Sequence, residues 1–263
     1  MQIGIIGTGA IGGYVRDELK RRGFAVRALL VLPENVEETA GEFPGCACVS
    51  SAADLPGDID HMIDCGGHMA LKVHGPEILR RGFDLTTVSV GALADAELYS
   101  DLDKAAAEGN AKLYVVSGAI GALDCLRAAR VGNLQSVTYT GRKPPKAWKG
   151  SPADGILDLD NLAGDAQVHF EGTARAAATQ YPENANVAAA VALAGLGFDE
   201  TRVRLIADPN VDRNIHEIVA TGDFGRFSFE IRGNALPDNP KSSAIAAMSV
   251  VSSLEQESQR IRF

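Results

Sequence analysis

One short segment near the start of the chain, Gly7-Thr8-Gly9-Ala10-Ile11-Gly12, constrains the fold more than any other. It directly follows an apolar run at residues 3–6 and opens a stretch in which Ile11, Val15 and Leu19 recur at helical spacing. Lys20, Arg21 and Arg22 fill the last turn of that stretch, Gly23 stops it, and a second apolar run follows at residues 25–32. Strand, glycine turn, helix and strand make a βαβ unit of about 30 residues. In that context Gly7 permits the tight turn, Gly9 lets the backbone approach a pyrophosphate, and Gly12 lets helix and strand pack closely. The helix N-terminus, with the amides of Ala10 and Ile11, then offers N–H donors to phosphate. The reading is a site for a dinucleotide.

The alternation continues. Strands are expected at residues 59–65, 85–90 and 112–116, and helices at 75–81 and 95–108, which implies a parallel sheet covered on both faces. After about residue 130 the pattern changes: residues 137–140 alternate like a half-exposed strand, and 203–207, 216–221 and 226–232 read as strands of an antiparallel sheet, with turns at Asp208-Pro209-Asn210 and Gly222-Asp223. Residues 187–193 read as a buried helix. A last helix is expected from Asn239 as cap and Pro240 as first residue, with Ile245, Met248, Val251 and Leu254 on one stripe. The fold class is therefore α/β. An N-terminal Rossmann domain, residues 1–120 plus 239–263, is joined to a second α+β domain, residues 121–238, with a mostly antiparallel sheet.

Composition narrows the partners. The 25 Lys and Arg against 34 Asp and Glu give a net charge of −9, which argues against nucleic acid or an anionic membrane. No apolar stretch approaches the roughly 18 residues of a membrane span, and the N-terminus lacks a basic leader, so a cytoplasmic protein is expected. Cys46, Cys48, Cys65 and Cys125 form no C-x-x-C pair and no disulfide framework. Cys46 and Cys48 have no nearby His or third Cys, so no metal is expected.

Against the acidic background, Arg142, Lys143, Lys146 and Lys149 fall in one proline-containing loop together with the single tryptophan, Trp148. Such cations suit a small dianionic substrate, although a solvated surface would need the same residues. Of the five histidines, His61 and His169 lie in strand-like stretches, the latter without polar company. His68 and His74 flank the loop after Gly66-Gly67. His216 begins a strand of the second domain and is the best-placed acid or base. At the end of the second strand, Leu30-Val31-Leu32-Pro33-Glu34 lacks the usual acid for a ribose hydroxyl and shows no arginine for a 2′-phosphate, so the cofactor is NAD or NADP.

These motifs together resemble the L-aspartate dehydrogenases, over nearly the whole chain. The resemblance is carried by residues 7–12, by Asp64-Cys65-Gly66-Gly67-His68, by Val88-Ser89-Val90-Gly91-Ala92-Leu93 and by 117–124. It continues through Gly141-Arg142-Lys143-Pro144-Pro145, residues 184–188, the Asp208-Pro209 turn with His216, and residues 233–240. Gly67 stands where alanine is expected. The resemblance implies NAD(P)-dependent oxidation of L-aspartate to iminoaspartate, which hydrolyses to oxaloacetate and ammonia or enters NAD biosynthesis, in a homodimer. It places the active-site histidine at His216 and further cofactor contacts at Ala119 and Asn186. His216 would take the substrate's amine proton or activate the water that attacks the imine. Ser117, Arg142 and Lys143 are the expected substrate contacts. The alternatives are a related reductase of the homoserine or dihydrodipicolinate type, or a non-catalytic NAD(P) sensor, which would lack titratable groups in the second domain.

Overall fold

The computed structural model describes residues 1–237 and 239–261. It divides into two compact units, Met1–Val116 with Ala246–Phe263, and Ser117–Ile245.

The first unit runs β1 (Gln2–Ile6), α1 (Ala10–Arg21), β2 (Ala25–Leu30), α2 (Val36–Glu42), β3 (Ala47–Val49), β4 (His61–Asp64), α3 (His68–Arg80), β5 (Asp84–Thr87), α4 (Ala96–Gly109) and β6 (Leu113–Val115). Its six strands are all parallel, in the order β3-β2-β1-β4-β5-β6. The order reverses between β1 and β4, which is where an open α/β sheet leaves a crevice beyond its strand ends. The strands are near-continuous apolar runs because both faces are covered: Ile3, Ile5, Ile6, Met62, Ile63 and Leu85 are buried. Helix α3 begins seven residues before the expected start at 75 and carries Pro76 inside it. Its stripe of Leu71, Gly75, Ile78 and Leu79 faces inward, and the lack of a side chain at Gly75 lets Leu102 of α4 come close.

The second unit runs α5 (Leu123–Ala129), β7 (Leu134–Lys143), β8 (Gln167–Thr173), α6 (Ala174–Gln180), α7 (Asn186–Ala194), β9 (Arg202–Ala207), β10 (Asn214–Gly222), β11 (Gly225–Gly233), β12 (Ala235–Leu236) and β13 (Asn239–Ser243). Its main sheet has the order β11-β10-β7-β9-β8, antiparallel except for the β7–β9 pair. Two local expectations change. Arg142 and Lys143 are not loop residues: β7 runs through them, and the chain leaves the sheet only at Pro144. The final helix, α8 (Ala244–Ser258), does not start at Asn239, because residues 239–243 pair with β12 as a strand. Asp238 and the Pro240 side chain, both part of the motif at 233–240, lie outside the described residues.

Helix α8 buries Ala247, Val250, Val251 and Leu254, whereas Ile245 and Met248 of the expected stripe are exposed, and a polar contact also ties it to the first unit. His61 in β4 is 1% exposed, with Nε2 2.7 Å from the Thr86 hydroxyl and Nδ1 3.1 Å from Glu257 of α8. A histidine in the middle of a parallel sheet is thus a structural anchor. Among the described residues no helix is long and apolar enough to cross a membrane.

Candidate active site

In the first unit the turn after β1 has the form the glycines imply. Gly7 has φ +85°, and a Cβ built on Gly12 would lie 2.1 Å from the Gly7 carbonyl oxygen, so helix and strand can meet only because residue 12 has no side chain. A Cβ on Gly9 would meet none of the described residues within 4 Å. Gly9 is the N-cap of α1, makes no side-chain cap, and is followed by no acidic residue in the first turn. No side chain caps the amides of this first turn, which fits a pyrophosphate. The next turn of the sheet edge is held by Asp64, whose carboxylate accepts from the Gly66 amide at 3.0 Å and from the Thr87 hydroxyl at 2.7 Å. Beyond β2, Leu32 is exposed and Glu34 sits in a short 3-10 turn.

These contacts separate two effects of adding one methyl group. Gly12→Ala should cost about 1–3 kcal/mol of stability through overpacking. Gly9→Ala should leave thermal unfolding within about 0.5 kcal/mol but raise the Kd for NADH roughly tenfold, the effect of about 1.4 kcal/mol. Calorimetric titration and thermal melts of the two variants would check this pairing.

In the second unit the chemistry gathers on one face of the sheet. Residues 139, 141 and 143 alternate onto the same side of β7. In the register of β7 with β10, His216 pairs with Gly141. Because Gly141 has no side chain, the Tyr139 ring can lie across it and bring its hydroxyl to 2.8 Å from His216 Nδ1. A Cβ at Gly141 would stand 2.7 Å from that hydroxyl. Lys143 extends from the same face, bonds Asn184 Oδ1 at 2.5 Å, and holds its ammonium 4.7 Å from the centre of the Trp148 ring. Trp148 is fully buried and fixed by its indole N–H to the Ile206 carbonyl at 3.0 Å.

A second histidine joins this group. The β8–β9 ladder slips between Val168 and Phe170, so His169 is the extra residue of a bulge, the kind of irregularity that redirects a side chain. Its ring meets Trp148 edge-on at 4.4 Å, its Nδ1 lies 3.1 Å from the Tyr181 hydroxyl, and its Nε2 is buried without a partner among the described residues. The charges in the cluster act on one another. Burial pushes the Lys143 ammonium down to about 8. Burial first, and the Lys143 charge second, push His216 down to about 3 and His169 to about 4. Both imidazoles are neutral at working pH beside one partly desolvated cation.

The remaining expected residues are placed separately. Arg142 alternates to the other face of β7 and pairs with Asp208 at 2.5 Å. Burial would raise the Asp208 carboxyl, but the Asn210 amide and Arg142 outweigh it and hold it below its usual range. Lys149 is exposed and pairs with Asp160, so of the four cations in that stretch only Lys143 is tied to the histidines. Asn186 opens α7, two residues from the Asn184 that holds Lys143, and Ala119 is buried in the turn after Ser117 and Gly118. Tyr139, Gly141, Trp148, His169, Tyr181 and Asn184 were not among the expected site residues. The Tyr139-x-Gly141-x-Lys143 alternation is the one signal in the sequence that could have exposed part of the group.

Residues 124–257 match the family described as aspartate dehydrogenase, C-terminal. The chain belongs to the aspartate dehydrogenase family. Residues 7–116 match the NAD-binding domain described for homoserine dehydrogenase. The chain is 49% identical to L-aspartate dehydrogenase of Ruegeria pomeroyi over 100% of its own length and 94% of the relative's. It is 45% identical to that of Ralstonia pickettii, covering 97% and 96%. Aspartate dehydrogenase of Thermotoga maritima superposes with a TM-score of 0.78 at 25% identity, covering 100% and 99% of the two chains. A hyperthermophilic archaeal homoserine dehydrogenase shares the fold at TM-score 0.58 and 11% identity.

Proposed function

We propose that this member of the aspartate dehydrogenase family is an enzyme that oxidises L-aspartate with NAD or NADP. The reaction yields iminoaspartate, reduced cofactor and a proton, and water then converts the imine to oxaloacetate and ammonia. The observation that carries this reading is the convergence of Lys143 and His216 on one sheet face, within the part of the chain that matches the aspartate dehydrogenase C-terminal family. NAD(P), when bound, supplies the acceptor for the α-hydrogen as hydride. The amides of Ala10 and Ile11 beyond Gly7 and Gly9, together with Gly12, would hold its pyrophosphate, and Ala119 and Asn186 would be further contacts.

Lys143 binds a substrate carboxylate; its tether to Asn184 and its seat on Trp148 fix the ammonium before substrate arrives. Neutral His216 holds a proton at the reacting end. Ser117 is a further substrate contact. Arg142 acts less directly, because Asp208 occupies its guanidinium. A homoserine-type reductase is the competing reading, and a substrate screen separates the two. Reduced-nicotinamide absorbance should appear with L-aspartate and not with homoserine, and the reverse reaction should run from oxaloacetate and ammonia. No signal in either direction would overturn the assignment.

The enzyme works in the cytoplasm, where its four free cysteines would stay reduced, and the iminoaspartate it makes can enter NAD biosynthesis. It works as a homodimer. Thr138 and Thr140 of β7 with Glu217, Val219 and Thr221 of β10 lie half-exposed on the sheet face opposite Tyr139 and His216. Sedimentation should give twice the chain mass of 27.6 kDa, and Thr138→Lys with Val219→Lys should return the monomer.

A further inference from the structure

His216 faces a buried phenol across the β7–β10 register. Tyr139 is 1% exposed, and among the described residues the one hydrogen-bond partner of its hydroxyl is Nδ1 of His216. Burial pushes the phenol above its usual pKa, so it keeps its proton. A buried O–H without an acceptor costs about 1–3 kcal/mol. Tyr139 therefore donates and Nδ1 accepts. A neutral imidazole that accepts at Nδ1 carries its hydrogen on Nε2.

We propose that Tyr139 is a positioning residue that locks His216 in the Nε2–H tautomer, so that His216 offers the substrate a hydrogen-bond donor and not a base. The proposal deepens the reading of His216 as an active-site residue and rests on it. Three further observations agree. Gly141 leaves the space the Tyr139 ring needs, and any larger residue would collide with the hydroxyl. Lys143 disfavours a second positive charge on either imidazole, so a neutral Nε2–H and the ammonium are both donors suited to an anionic substrate. The same device recurs at His169, whose Nδ1 faces the Tyr181 hydroxyl while its Nε2 is buried without a partner among the described residues. Two tyrosine–histidine pairs and one lysine form a donor set suited to the carboxylates of a dicarboxylic amino acid.

The proton of the substrate's ammonium then does not pass to His216. It is released to solution, as the overall balance requires. The pH limb of kcat/KM that reports this ionisation belongs to the substrate amine.

The deciding measurement is the imidazole 15N spectrum of the full-length protein labelled at histidine, with His216 assigned by its loss in His216→Gln. An imine-type Nδ1 and a pyrrole-type Nε2 are expected at neutral pH; the reverse pattern would overturn the proposal. Tyr139→Phe, or Gly141→Ala if the former fails to fold, should shift the spectrum toward a tautomer mixture. Either variant should raise KM for L-aspartate about tenfold, a loss of about 1.4 kcal/mol, with NADH affinity unchanged. His216→Gln, which keeps a donor near Nε2 but cannot act as a base, should retain at least about a tenth of wild-type kcat/KM with the same amine limb; loss of that limb would also overturn the proposal. Wild-type turnover in His216→Ala would instead remove His216 from the active site while leaving the tautomer result intact.

Discussion

His216→Ala is expected to lower kcat/KM for L-aspartate by about 10²–10³-fold, the range for losing one preorganised donor, and to leave NADH binding within about twofold. The side chain is 5% exposed and its ring stacks on Tyr139 with centroids 6.0 Å apart, so deletion also disturbs the sheet. The cost has a specific source. Without Nδ1 the Tyr139 hydroxyl has lost its acceptor, a penalty of about 1–3 kcal/mol. Adding Tyr139→Phe removes the orphaned hydroxyl, so the double variant should recover thermal stability without recovering turnover. Steady-state kinetics and thermal melts of the two variants test this together. If activity returned along with stability, the single-variant defect would be one of folding, and His216 would have no direct part in the reaction.

The parts of the molecule that could be read from the chain are those in which chemistry is local. The glycine turn, its strand and its helix lie within one short segment, and their spacing leaves few alternatives. The boundaries that moved did so for tertiary reasons: α3 extends back to His68 because its buried stripe outweighs the glycine and proline at 75 and 76, and residues 239–243 form a strand because β12 is beside them. The surroundings of His216 were less legible. Tyr139 is 77 positions away, and their bond exists only in the β7–β10 register. His169 read as a histidine without polar company; a one-residue bulge turns it toward Trp148 and Tyr181. No local pattern announces a bulge, and no composition indicates which lysine of a basic stretch will be desolvated. Strand alternation does that, sending Lys143 to the histidines and Arg142 to Asp208.

That desolvation sets the second large effect. Lys143→Met should raise KM for L-aspartate at least about 10²-fold, because it removes the cation and a charge-assisted bond together. The wild type should already show the same loss in part as pH rises. With burial holding the amine near 8, the ammonium is complete well below that pH and disappears above it. In the free enzyme kcat/KM should therefore fall on the alkaline side, by about tenfold per pH unit beyond the midpoint. A bound dicarboxylate favours the charged form, so the corresponding limb of kcat should lie at higher pH than that of kcat/KM. Lys143→Arg keeps a charge that does not titrate in this range, and should abolish the lysine limb while leaving the one due to the substrate amine. An alkaline limb that survives unchanged in Lys143→Arg would assign it to another group and separate Lys143 from carboxylate binding.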